Sequence, residues 1–175
     1  MTLTADNVRV AVTGGIFVAP TGTALPTSAI TALNVAFNDL GYVGENGVTE
    51  AQNADVTDIK AWQNGDTVRK VQTSHDVTYN LTLIETKDEV LEVYYGPLTG
   101  GVVHVTGDQL GHQSWVIEVV DGDVDIRIVI PDGQVTERGD ITYANGEAIG
   151  YDVTVTAYPD DSGVKAYIYR DETAS

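Results

Sequence analysis

Three carboxylates at alternate positions, Asp121, Asp123 and Asp125, with Asp132 in the twelfth place counted from Asp121, resemble the oxygen-ligand spacing of a calcium loop. The pattern fails at its sixth place, where the sharp turn of such a loop calls for glycine and this chain has Ile126. Ile126, Ile128 and Ile130 continue an alternation that belongs to a strand, so the acids read as a turn entering an acidic-faced strand. The three histidines, His75, His104 and His112, show neither an H-x-x-x-H nor an H-E-x-x-H spacing, which removes zinc on a helix face. His104 and His112 could meet across a hairpin, but no third ligand stands with them. Ser74, His75 and Asp76 have the residue types of a hydrolytic triad, yet adjacency in the chain is no argument for the triad's geometry. There is no G-x-S-x-G, no P-loop and no G-x-G-x-x-G, and no two carboxylates stand out as a glycosidase pair. The residues point away from catalysis and call for no metal and no cofactor.

What stands out instead is Trp62, alone in the long polar stretch that opens at Gly41. Two readings compete: a core contact beneath a loop, or an exposed aromatic anchor for a partner. Trp115, by contrast, alternates within an apolar strand and reads as core.

Composition narrows the partners. The chain has 175 residues, 42% hydrophobic and 20% charged, which suits one folded domain with a real core. It carries 9 Lys and Arg against 26 Asp and Glu, a net charge of −17. A nucleic-acid binder carries a basic footprint; this surface repels a phosphate backbone. Without cysteine there is no disulfide or thiolate site. The opening MTLTADNVRV has neither a basic n-region nor an apolar h-region, so no signal peptide is expected, and no apolar run is long enough to span a membrane.

The elements follow from periodicity. Val8, Val10 and Val12 begin a first strand with a bulge or bend at Gly14-Gly15 that resumes over 16–19. A Pro/Gly loop follows, then an extended segment over 30–40 with Leu33, Val35 and Phe37 on one face. Residues 41–73 form a long loop containing the hairpin signal Asn64-Gly65-Asp66, and 67–73 alternate weakly, as at a bulge or edge strand. Val77, Tyr79, Leu81 and Leu83 share one strand face. Thr86 to Glu89 spell a capping box, leading into the only predicted helix, about 87–95, which Gly96 and Pro97 end. Short strands follow: 102–105, 115–120, 124–130, 134–143, 149–157 and 164–170. Their turns fall at Asp121-Gly122, Pro131-Asp132-Gly133, Asn145-Gly146 and Asp160 to Gly163. The class is mainly β, a sandwich or barrel with one flanking helix.

Read in order, VAVTGGIFVAPTGTALPT, LGYVGENGVTEAQ, IKAWQNGDTVRKVQT, VTYNLTLIETKDEVLEVYYG and ITYANGEAIGYDVTVTAYPDDSGVKAYIY resemble the major tail (tail tube) protein of long non-contractile phage tails, particularly of phages of actinobacteria. The resemblance spans nearly the whole chain and exceeds that to tube proteins of contractile machines. It implies a β-sandwich or barrel-like tube domain over 1–175 with short N- and C-terminal arms, no enzymatic activity, and self-assembly into hexameric rings stacked as a tube. It further implies other tail proteins at the tube ends, a tape measure protein, passage of double-stranded DNA without binding, assembly in the host cytoplasm, and a place in the virion. On this reading 41–73 is the stacking loop, with Tyr42, Ile59, Trp62, Val68 and Arg69 as inter-ring contacts. Asp140, Asp152 and Thr154 become lumen residues on a polar strand face that also includes Arg138. A hexamer would carry roughly −102, a channel charge that repels like-charged cargo. The rival from another class is a monomeric β-sandwich binding module for carbohydrate or adhesion.

Overall fold

The computed structural model describes residues 7–172; the outermost parts of the expected terminal arms, 1–6 and 173–175, lie outside the described residues. Eight strands and one helix follow in the order β1 (Thr13–Pro20), β2 (Asn38–Asp39), β3 (Val43–Lys60), β4 (Thr67–Leu83), α1 (Asp88–Tyr95), β5 (His112–Asp121), β6 (Val124–Arg138), β7 (Tyr151–Tyr158) and β8 (Tyr167–Glu172). All pairings are antiparallel, in the order β2-β1-β5-β6-β7-β4-β3, with β8 on β6. The class is mainly β, as expected, but the sheet does not close into a barrel: β2 and β3 end the order.

The long strand β6 makes the architecture. Its first half, 124–129, lies between β5 and β8; beyond Asp132 it pairs with β7. Pro131-Asp132-Gly133, expected to be a turn, is strand throughout. The β5 register slips between Gln113 and Trp115, and the skipped Ser114 donates its hydroxyl to the Pro131 carbonyl at 2.7 Å. A proline without an N–H thus passes through the ladder at an irregularity, where prolines are tolerated.

The main core is the inner face of both halves. Val77, Tyr79, Leu81 and Leu83 of β4 oppose Tyr151, Val153, Val155 and Ala157 of β7, and pack with Trp115, Ile117, Ile16 and Leu40 and with Val90, Val93 and Tyr94 of α1. These are the alternation-defined faces of the sequence, and both tryptophan expectations resolve: Trp115 is 1% exposed and Trp62 is 96% exposed. A second, smaller core (Ala19, Phe37, Val116, Val129) lies on the other face of the β1-β5-β6 half, under residues 20–37.

Several local expectations fail for physical reasons. The first strand starts at Thr13, leaving Val8, Val10 and Val12 exposed, because β5 ends at Asp121 and Val12 N–H to Val120 carbonyl is the last ladder bond. Gly14 marks a close approach and not a bend: a Cβ there would sit 2.1 Å from the Glu118 carbonyl oxygen. Residues 30–37 hold no strand and turn at 35–36, with Val35 99% exposed and Phe37 buried, so the expected shared face does not form. The capping box is absent: Lys87 occupies the N-cap without a side-chain bond, and the Thr86 hydroxyl pairs with Tyr151 Oη instead. The expected 102–105 strand reduces to a single Thr99–Val102 bridge. The expected 134–143 strand stops at Arg138, and 139–150 is loop.

Candidate assembly surfaces

Two surfaces emerge. The first is the hairpin of β3 and β4. The long loop expected over 41–73 is for the most part strand: Val43–Lys60 runs antiparallel to Thr67–Leu83 with register slips at Asp55/Val56 and Ile59/Lys60, the latter close to the phase change read in 67–73. Asn64 and Gly65 take positive φ (59° and 69°), as a tight reversal requires, and Ala61 N–H closes it on the Asp66 carbonyl at 2.7 Å. Below Val77, β4 is shared with β7; beyond it the two strands have only each other. Asn53–Lys60 is exposed throughout. Ser74 Oγ to Asp55 Oδ2 at 3.0 Å and Lys70 to Asp58 at 3.3 Å brace the ribbon, and Lys165 Nζ bonds the His75 carbonyl at its root. Ile59 and Arg69 share one face with Thr57 and Val71; Val56 and Asp58 share the other with Gln72 and Lys70. Ile59, Val68 and Trp62 are exposed at the tip end, Arg69 with them, while Tyr42 lies exposed at the root, where its carbonyl accepts from Ile84 N–H. The five residues expected to act together thus divide between the two ends of one hairpin.

The second surface is the outer face of β6, β7 and β4. Thr78, Asn80 and Thr82 stand opposite Thr156, Thr154 and Asp152. Asn80 Nδ2 donates to Asp152 Oδ1 (3.1 Å) and Thr154 Oγ1 (3.2 Å), and Thr136 and Thr156 hydroxyls pair at 2.7 Å. The result is a hydroxyl-and-amide sheet face holding Asp152 and Thr154 side by side. Asp140 is not on it; it follows the end of β6 in the loop. Arg138 is turned away too. A slip between Val135 and Glu137 sets Glu137 opposite Thr154 and Arg138 opposite core-facing Val153, so Arg138 Nη1 reaches the Tyr94 carbonyl at 3.2 Å, and its guanidinium lies 6.0 Å from the Tyr94 ring centroid. Periodicity alone carries no mark of that slip.

Neither surface resembles an active site. Among the described residues, no group of three or more His, Asp or Glu is placed to hold a metal ion. His112 Nδ1 meets Asp132 Oδ1 at 2.6 Å as a surface pair, while His75 stands on β4 and His104 in the loop before β5. The shifted groups are structural. Burial pushes Tyr79 up, with the nearby Glu50 charge adding to it, and burial with a Tyr143 hydrogen bond raises Tyr95 to about 12. The hydrogen bond from Tyr167, reinforced by Val164 N–H, holds the Asp160 carboxyl below its usual range. Among the described residues the large exposed aromatics Tyr42, Trp62 and Tyr143 lie in three separate loops and form no shared aromatic platform.

The described residues form an open antiparallel sheet with one helix and a projecting two-stranded ribbon. The fold is shared with a chain of an extracellular contractile injection system, the PVC sheath-tube complex in its extended state: TM-score 0.53, 8% identity, 97% of this chain and 95% of that one covered. A chain from the tail of an empty GTA particle (TM-score 0.43, 8% identity, 99% and 100% covered) and Hcp protein (TM-score 0.31, 10% identity, 91% and 98% covered) are more distant in shape. No curated protein matches the sequence. The family model for phage tail tube proteins matches residues 1–175, and the chain belongs to that family. It is a structural component of a tail tube and not an enzyme. No described helix is long and apolar enough to cross a membrane.

Proposed function

We propose that this chain forms the tail tube of a long non-contractile phage tail as stacked hexameric rings, with the hydroxyl-rich face of β4, β7 and β6 turned to the lumen and the β3–β4 hairpin reaching the next ring. The observation that carries this reading is the hairpin. A two-stranded ribbon is marginal by itself in water, and this one presents Trp62, Ile59, Val56 and Val68 to solvent. Such a ribbon makes sense when a neighbour covers it.

The free edges support the same reading. Among the described residues β3 pairs on one side only, along 18 residues, and a long unpaired edge is a template for strand addition from another copy. Six copies joined in this way would continue the sheet around a ring. The lumen face would then present threonine and asparagine with Asp152 and Glu137, a wall that offers DNA phosphates no cation array. The channel is acidic through these two carboxylates per subunit and the overall charge, with Asp140 outside the sheet face. The tape measure protein would occupy this lumen before DNA does, other tail proteins would cap the tube ends, and assembly would take place in the host cytoplasm. The test is negative-stain microscopy of the purified protein over a concentration series. Rings or tubes of constant diameter are expected; a protein that stays monomeric at high concentration, with and without a tail initiator, overturns the reading.

A further inference from the structure

The charge of this chain is unevenly placed. The hairpin tip, residues 56–72, holds three cations (Lys60, Arg69, Lys70) against two carboxylates (Asp58, Asp66), one net positive charge in a chain of −17, so the remainder carries −18. With Lys70 paired to Asp58, the tip keeps Lys60 and Arg69 against Asp66, a weakly basic end with Trp62 exposed on it, on a strongly acidic body.

The opposite end of the same hairpin borders a groove of complementary character. The groove has a volume of about 510 Å³ and lies between the start of β1 and the β2–β3 connection. Asp39, Glu85 and Glu118 supply carboxylates, and Phe17, Tyr42 and Val120 supply apolar wall. Its floor is sterically specified. Gly41 has φ 76°, and a Cβ there would lie 2.2 Å from the Glu85 carboxyl carbon; its absence lets Glu85 Oε1 seat on Tyr42 N–H at 2.8 Å. Asp39 is held by Gly41 N–H at 2.7 Å. Arg127 engages Glu118 and Lys87 stands 3.6 Å from Glu85, whereas Asp39 accepts from a backbone N–H.

One molecule cannot bring these two features together. Tyr42 adjoins Val43, which pairs with Leu83 at the root, whereas Trp62 follows Lys60 at the tip. The 18 residues of β3 separate them, roughly 60 Å of strand at about 3.3 Å per residue. The contact is open only to a second copy, and made once between two copies a tip-to-root contact is heterologous, the type that builds rings or propagating stacks.

We propose that the hairpin tip of one copy docks in the Asp39–Tyr42–Glu85 groove of another copy, Trp62 against the apolar wall and Lys60 and Arg69 toward the carboxylates. The proposal rests on the tube reading and names its axial contact. The chain has no cysteine, so cross-linking tests it directly. Tubes of a Gln63→Cys/Tyr42→Cys double variant, oxidised and run on a non-reducing gel, are expected to give a ladder of covalent multimers, with each single variant giving dimers at most. In parallel, Lys60→Glu/Arg69→Glu should raise the critical concentration of assembly at least tenfold, and adding Asp39→Lys to that chain should recover most of the loss. The thermal melt of each dispersed variant verifies the fold. Tubes that form without a ladder, or that are insensitive to the charge changes, overturn this contact while leaving the tube reading intact. A protein that forms no tubes before any substitution overturns the tube reading itself.

Discussion

Trp62→Ala separates a stacking anchor from a packing residue. In the isolated subunit the indole is 96% exposed, so its removal should change monomer stability by no more than about 0.5 kcal/mol. For a chain of this size that is a shift of roughly 2 °C or less in melting temperature. In the assembled tube the same side chain brings about 200 Å² of mostly apolar surface. At about 25 cal/mol/Å², full burial is worth about 5 kcal/mol; incomplete burial and the ordering of an exposed hairpin tip reduce that to about 2–3 kcal/mol per contact. Each tip contact should therefore weaken by about 30- to 150-fold, and the loss recurs at every subunit of a ring. The paired assays are a thermal melt of dispersed protein and the critical concentration for sedimentable tubes. A melting temperature lowered by more than about 4 °C would place the indole in a fold contact that its exposure denies. Tubes that appear at an unchanged concentration would show that the tip is not an assembly contact.

Three further substitutions probe the subunit itself. Arg127 is 6% exposed and bonds Glu118 Oε1 (2.5 Å), the Ser28 carbonyl (2.9 Å) and the Thr31 carbonyl (2.6 Å), so it ties the 20–37 segment to the outer sheet face. Arg127→Ala leaves a partly buried carboxylate and two carbonyls without their donor and should cost about 3 kcal/mol in urea unfolding; a loss below about 1 kcal/mol would mean that solvent replaces the tie. Gly14→Val puts a Cβ against the Glu118 carbonyl and should separate β1 from β5 or prevent folding, visible as lost amide-exchange protection over 13–16; unaltered protection would refute the close approach. The Asp160 carboxyl is depressed by its Tyr167 bond, so its contribution is present above the unfolded value of about 3.8 and disappears as pH falls through the lower folded value. Tyr167 is raised by the same bond, so its share is present below the unfolded value of about 10.0 and is lost as pH rises through the folded one. Asp160→Asn should accordingly flatten the acid limb of urea midpoint against pH, and an unchanged acid limb would assign the loss to other carboxylates.

What could be read in the sequence and what could not divides along one physical line. Val77 to Leu83 was legible because one face is wholly buried and the other solvated, so each residue reports its side. The end of α1 at Gly96 was legible because only a positive φ continues the chain there, at 104°. The failures cluster where a neighbouring strand decides. Pro131-Asp132-Gly133 looked like a turn, and became strand because Ser114 opposite slips out of register and answers with its hydroxyl. Alternation puts Arg138 on the polar side, and a slip after Val135 carries it to the Tyr94 carbonyl. The hairpin is the extreme case. Its outer half has no buried face, so no alternation marks it as strand, and Asn53–Lys60 read as loop. A ribbon written without an inside is what an assembly element should look like when its inside belongs to another copy. The lack of periodicity that hid the hairpin in the sequence and the exposure of Trp62, Ile59 and Val68 in the fold are then one property seen twice.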